Sequence, residues 1–440
     1  MFKYNTVNTD KVIIKKLVDY LKTALRSDFI RISLMNSSSL AIRTISSFIS
    51  IKIIAVLIGP PGLALLGQLN NFSNLLIAFS SPGITSGITK FVVASKDSED
   101  ELKYYISTGS LIILVLSGVL GLGLIVFSRT LSQFIFYTDA YYYVLIIFGA
   151  SLFFYNINNF LLGIINGFQE FKSYVRISIA STLLGLVLTV VLVYFFKSAG
   201  ALVSVVMVQS VIVFITLIMV RKKEWLKLSY FIDGYNHTAG RGFLDYIFMA
   251  LISGGIGPLS LFLVRTIVIR NLGLELAGIW DAMYRLSFSL LSILVVSLGI
   301  YYYPKAAEIK DRSKLHTFIL SHIKMIVPVA IIGYTILFFS RNLVIQILFD
   351  HKFAQMESIF FMQFVGDIFK IAVWFYVYAM SAQMMTRYFV INELLGGILF
   401  PALTFILISY FGLNATVIAY AASNLLSLSF LIIIFKAKVV

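Results

Sequence analysis

With 440 residues, of which 59% are hydrophobic and only 12% charged, the chain is too apolar for a soluble globular protein, in which about a quarter of residues are charged. A net charge of +15 would suggest nucleic acid in a soluble protein; here no nucleic-acid partner is expected, and the placement of the charge matters more than its size. Cysteine is absent and the four histidines, His237, His316, His322 and His351, fall on separate segments, so neither a disulfide, nor thiol chemistry, nor a metal site is expected.

Taken in order, residues 1–30 set Val12, Ile13, Leu17, Val18, Leu21, Ala24 and Leu25 at helical spacing among Lys11, Lys15, Lys16, Lys22 and Arg26. This basic amphipathic segment suits either an anionic membrane surface or a solvated tail. Apolar spans follow at about 32–58, 64–93, 104–127, 140–166, 173–196, 199–220, 243–269, 275–302, 315–340, 353–381, 386–411 and 414–436. Each is long enough to cross a hydrocarbon core of about 30 Å at about 1.5 Å per residue.

The spans fall into two copies. Gly62-Leu-Ala-Leu-Leu-Gly67 returns 211 residues later as Gly273-Leu-Glu-Leu-Ala-Gly278, and Lys103 pairs with Lys314 at that offset. At an offset of 214, Tyr174 meets Tyr388 and Ala201 meets Ala415. Such internal repetition decides the fold. The expected class is an all-α polytopic membrane protein of about twelve helices, in two six-helix bundles related by a pseudo-twofold along the membrane normal. The bundles are expected over 31–220 and 243–440, joined by a linker at 221–242. Basic residues gather at the N-terminus and in the even-to-odd connections, for example Lys96, Lys172, Arg221, Lys222, Lys223, Lys310 and Arg312. Both termini are therefore expected to be cytoplasmic.

Glycine and proline mark where helices bend: Pro82-Gly83, Gly254-Gly255-Ile-Gly257-Pro258 and Pro328. The cluster in the seventh span reads as a hinge or as a static kink. Gly118, Gly121 and Gly123 lie inside an apolar span and read as close helix packing.

A charge inside a span costs about 2.5–3.5 kcal/mol to insert, so each one faces water or a partner. The first half holds Arg43, Lys52 and Lys90, and the second holds Arg265, Arg270, Asp281, Arg285, Lys324, Asp367 and Lys370. Lys52, six residues from its helix end, is also able to snorkel. Cations outnumber acids, which predicts a positive cavity. Asp281 with Arg285, and Asp367 with Lys370, are spaced to share a helix face. Each pair is either a self-contained ion pair or a switch in which an anion borrows the cation and the carboxylate takes a proton. Tyr155, Asn156, Asn158, Asn159 and Asn166 on one span, and Trp374, Tyr376, Tyr378 and Gln383 on another, offer faces and amides for sugars. Interfacial belts and interhelical hydrogen bonds use the same residues.

Four blocks, Lys52-Ile-Ile-Ala-Val-Leu-Ile-Gly-Pro-Pro-Gly62, Gly83-Ile-Thr-Ser-Gly-Ile-Thr-Lys-Phe91, Ile269-Arg-Asn271 with Gly278-Ile-Trp280, and Gln363-Phe-Val-Gly-Asp-Ile-Phe-Lys370, resemble the Wzx-type flippases of bacterial O-antigen and enterobacterial common antigen. Arg387-Tyr-Phe-Val-Ile-Asn-Glu393 extends the likeness. The resemblance implies the multidrug/oligosaccharidyl-lipid/polysaccharide exporter superfamily and a non-enzymatic role. The substrate would be an undecaprenyl-diphosphate-linked glycan, moved from the cytoplasmic to the periplasmic leaflet of the bacterial inner membrane.

Membrane lipids, a proton or sodium ion and the O-antigen polymerase machinery would be partners, with no cofactor. Lys52, Lys90, Arg270, Asp367 and Lys370 sit in the matched blocks. Arg43, Arg265, Asp281 and Arg285 rest on burial alone. The expected diphosphate site is thus Arg43, Lys52, Lys90, Arg265, Arg270, Arg285 and Lys370, with Asp281 and Asp367 for coupling. A multidrug antiporter or a peptidoglycan-precursor flippase would share the architecture. The excess of buried cations disfavours the antiporter. A membrane glycosyltransferase, polymerase or ligase would need a large extracytoplasmic loop, and the loops here are short.

Overall fold

The computed structural model describes residues 28–437; nearly all of the basic segment expected over 1–30 lies outside them. Among the described residues all regular structure is helical. The helices are α1 (Asp28–Ser80), α2 (Ile84–Ser95), α3 (Glu99–Val126), α4 (Ser128–Phe136), α5 (Tyr142–Gly167), α6 (Phe171–Val220), α7 (His237–Ser297), α8 (Tyr303–Glu308), α9 (Arg312–Phe339), α10 (Arg341–Leu348), α11 (Phe360–Ala382), α12 (Thr386–Phe411) and α13 (Asn414–Ala437). Eight of the described helices are long and apolar enough to cross a membrane.

Three helices double back. α1 breaks at Gly59, α6 at Lys197 and α7 at Gly273. In a straight helix Arg265 and Asp281 would stand about 24 Å apart, yet they form an ion pair, because Gly273 lies midway and turns the chain back. A Cβ on Gly200 would likewise run into the Leu192 carbonyl. Gly59 (φ 65°, ψ −173°) and Gly273 (φ 86°, ψ 172°) adopt a conformation closed to residues with a Cβ. Pro60 and Pro61 then start the returning helix, where a missing N–H is harmless. Counting these returns, and running α1 on into α2 and α7 on into α8, gives twelve crossings.

The backbone repeats as the sequence does, with a shifted register. The turn glycines, Gly59 and Gly273, are 214 residues apart, so the 211-residue offset of the Gly-Leu-x-Leu blocks is three residues out of structural register. Left-handed residues also recur in pairs: Gln169 (φ 57°) with Met384 (φ 54°), and Lys197 (φ 50°) with Gly412 (φ 53°). Two short helices the spans had left as loops, α4 and α10, occupy matching places on the side opposite the termini. Each buries an apolar edge, through Ile135 and Phe136 in one and Ile345 in the other.

The proline motifs resolve differently. Gly83 (φ 62°) does break the second span, whereas α7 stays helical through Pro258 and α9 through Pro328. Gly121 and Gly149 bring the backbones of α3 and α5 together.

Residues 221–236, between α6 and α7, are held against the first half. Trp225 stacks on Phe168 (5.9 Å), Lys223 pairs with Glu170 (2.7 Å), and Ser107 and Ser110 donate to the carbonyls of Gly234 (2.9 Å) and Phe231 (2.8 Å). Between the halves, α1 after Gly59 runs along α7. Gly67 fits against Arg265 and Asp281, Gln68 donates to Thr266 (2.8 Å), Phe72 meets Phe262 and Ala78 meets Gly254. On the side away from the termini Gly278 presses on the Pro60 backbone.

Candidate functional site

Two chambers among the described residues are lined by charged residues picked from the sequence. The first, of about 530 Å³, is lined by α1, α5 and α6, with Arg285 from α7. Its wall is hydroxyl and amide: Ser46, Ser47 and Ser50 before the Gly59 turn, Asn70, Ser73 and Asn74 after it, then Tyr155, Asn158, Asn159, Ser178, Ser181 and Thr182. The hydroxyls of Ser73 and Ser181 are buried without a protein partner. Among the described residues the only charged ones on this wall are Arg43 and Arg285.

Arg285 is held by a triad. Its Nε donates to Asp281 (2.6 Å), one helical turn back, and Arg265 donates to the other carboxylate oxygen. Asp281 and Arg265 are 1% and 2% exposed, and the Arg265 guanidinium lies 5.2 Å from the Trp280 ring. One carboxylate thus serves two guanidiniums, which leaves one positive charge uncompensated. Arg285 is the member that reaches the chamber; Arg265 is sealed behind it, its Nε and Nη1 without partners. Gly67 leaves the space for this cluster, since a Cβ there would strike both Asp281 and Arg265.

The second chamber, of about 150 Å³, lies wholly among α7, α11, α12 and α13 and is lined by Lys370, Glu393, Asn392, Trp374, Tyr284 and Ser260, among others. Behind its wall Asp367, fully buried, accepts from Ser287 (2.7 Å to each oxygen) and Gln363 (3.2 Å). Asp367 and Lys370, spaced to pair, form no ion pair. Asp367 turns to the α7 hydroxyl while Lys370 lies 6.0 Å from the Trp374 ring.

Of the residues picked from the sequence, the structure therefore brings Arg265, Asp281, Arg285 and Arg43 to the first chamber or its support. Asp367 and Lys370 go to the second. Lys52 donates to the Ile347 carbonyl at α10, the snorkelled position. Lys90 is exposed on α2, Arg270 is exposed just before the Gly273 turn, and Lys324 is exposed on α9; none of these four lines either chamber. Among the aromatic and amide residues of α5, Tyr155, Asn158 and Asn159 face the first chamber, but Asn156 is structural, donating to Ser80 (2.9 Å) and Ser117 (2.8 Å). Sequence reasoning passed over Asn70, Ser73 and Asn74, although their spacing of three and four puts three polar groups on one face of an apolar span. It also passed over Glu393, which ends the Arg387–Glu393 motif.

The sequence model of the family described as "Polysaccharide biosynthesis protein" matches residues 31–310. The chain belongs to that family. This member of the polysaccharide biosynthesis family is 23% identical to the Lipid III flippase of Escherichia coli (strain K12) over 362 residues, 82% of this chain and 87% of the relative. Among solved structures it resembles the lipid II flippase MurJ in an inward closed conformation, with a TM-score of 0.71 at 14% identity, covering 92% of this chain and 87% of that one. An inward-facing multidrug resistance MATE family transporter of the MOP superfamily gives a TM-score of 0.70 at 14% identity, covering 90% and 95%. These likenesses establish the polytopic, twelve-helix fold.

Proposed function

We propose that this protein is a flippase. It would carry an undecaprenyl-diphosphate-linked oligosaccharide from the cytoplasmic to the periplasmic leaflet of the bacterial inner membrane, making and breaking no covalent bond. The observation that carries this reading is the charge of the first chamber, whose described walls offer two arginines, no acid among the described residues, and a dozen hydroxyls and amides. A diphosphate demands charge-assisted hydrogen bonds when it leaves water, and guanidinium supplies them in bidentate form. A glycan demands many neutral donors and acceptors. An organic cation would want acids in this place. The relative in Escherichia coli bears the name of a lipid III flippase, which agrees with the chemistry.

In this reading Arg43 and Arg285 hold the diphosphate, and the triad keeps Arg285 aimed without cancelling it. The serines and amides of α1, α5 and α6 take the glycan, and the polyprenyl tail stays in lipid. Both termini are cytoplasmic. The bundles 31–220 and 243–440 rock about their α1–α7 seam, with residues 221–242 moving as part of the first bundle to which they are bound. The contact of Gly278 with Pro60 closes the periplasmic side. Asp367, buried among hydroxyl and amide partners and in no ion pair among the described residues, is the proposed site of coupling to a proton gradient, and O-antigen polymerase machinery is the proposed recipient.

Reconstitution tests the function. Vesicles holding the protein should make an undecaprenyl-diphosphate-linked saccharide accessible on the far side, faster with a proton gradient. Equal accessibility in protein-free vesicles would reject the proposal.

A further inference from the structure

The two chambers occupy equivalent places in the repeat. Ser46, Asn70 and Ser73 on the first wall correspond, 214 residues on, to Ser260, Tyr284 and Ser287 on the second. The second chamber is small, about 150 Å³, the size of cavity that takes a single six-membered ring. It also carries unsatisfied chemistry. Asn392 Oδ1 and Ser260 Oγ are buried with no protein partner, in side chains 4% and 6% exposed. Lys370 and Glu393 both line it, yet neither forms an ion pair among the described residues.

These groups select by charge. A metal cation entering here meets an ammonium, and a simple anion meets a carboxylate. A neutral molecule with both donors and acceptors satisfies all four polar groups at once: acceptors toward Lys370 and donors toward Glu393 and Asn392, with Ser260 serving either way. One wall is aromatic, with Trp374 on α11 and Tyr284 stacked on Phe288 (6.2 Å) on α7. It suits the apolar face of a ring. We propose that the second chamber is a saccharide subsite, taking one neutral sugar ring of the glycan against Trp374, between Lys370, Glu393, Asn392 and Ser260. This rests on the flippase reading for the source of the sugar and separates Lys370 from the diphosphate. Because Ser287 both lines the chamber and donates to Asp367, occupancy of the subsite is felt at that carboxylate.

The chain has three tryptophans, Trp225, Trp280 and Trp374, so the full-length protein labelled with 5-fluorotryptophan gives three fluorine NMR signals, assigned by single Trp→Phe variants. Titration with N-acetylglucosamine or glucose to about 10 mM, enough to fill a site of millimolar Kd, should move the Trp374 signal saturably and leave Trp225 still. Lys370→Met and Glu393→Gln should each weaken the response several-fold, and Arg43→Ala should not change it. A Trp374 signal that ignores both sugars, that answers sodium chloride or glucuronate more strongly, or that titrates alike in both variants would overturn the subsite. The readout needs no transport. A protein that flips lipid-linked glycan with a silent Trp374 loses the subsite alone, and one that binds sugar at Trp374 but moves no lipid loses the flippase reading alone.

Discussion

The two halves use one backbone for two kinds of chamber. Their chain reversals match, at Gly59 and Gly273, Gln169 and Met384, and Lys197 and Gly412. The first chamber is nevertheless wide, hydroxylic and positively charged, while the second is smaller, aromatic and neutral in sum, with one lysine and one glutamate. Duplication has kept the turns, which fix how helices return, and left the lining free to diverge. The chamber that faces the other half gained the cations, and one of these, Arg285, comes from the other half.

That division can be attacked at its support first. Asp281→Ala strands two guanidiniums, one of them sealed from water, and should cost about 3–5 kcal/mol of stability. The thermal unfolding midpoint in detergent should fall steeply, and adding Arg265→Met should recover part of the loss. A midpoint unchanged by Asp281→Ala would mean that the triad does not support the fold.

Next comes the charge itself. Arg285→Ala should leave folded protein but lower translocation by about 2 kcal/mol or more, roughly 30-fold, as expected when one member of a buried charge pair is removed. Initial rates in reconstituted vesicles measure it. Gly67→Ala pushes a methyl into the same cluster and should cost about 1–3 kcal/mol as overpacking, seen in the same unfolding assay.

The second half is probed through Asp367→Asn, which should preserve gradient-free exchange while removing its stimulation by a proton gradient. A normal response to the gradient would take Asp367 out of coupling. The smallest effect belongs to the turns: Lys197 holds, with a Cβ, the conformation (φ 50°, ψ −127°) that Gly412 adopts without one (φ 53°, ψ −130°). Relieving it in Lys197→Gly should raise stability by about 1 kcal/mol, and Gly412→Ala should lower it comparably.

Much of this fold is written in hydropathy, because each crossing must satisfy its own backbone in lipid and so appears as a continuous apolar run. The pairing of Arg285 with Asp281 was legible too, being a contact within one helix. Arg265 was not legible as their partner, because that contact depends on the chain reversing at Gly273. Nor was the separation of Asp367 from Lys370, since the shared helix face says nothing about the Ser287 hydroxyl that a different helix brings to one of them. Lys52 shows the same limit: its depth permitted a substrate role, and the α10 carbonyl that accepts its hydrogen bond lies 295 residues away. The short helices α4 and α10 are too brief to read as spans and too apolar on one side to be loops.

The central claim is that the diphosphate is held in the first chamber by Arg43 and Arg285. Binding of undecaprenyl diphosphate, without a glycan, to the purified protein tests it most directly. Arg43→Ala combined with Arg285→Ala should weaken binding at least about 30-fold, the equivalent of about 2 kcal/mol, while Lys370→Met stays within about twofold, under about 0.5 kcal/mol. Unimpaired binding by the arginine double variant, or an equal loss from Lys370→Met, would contradict the account.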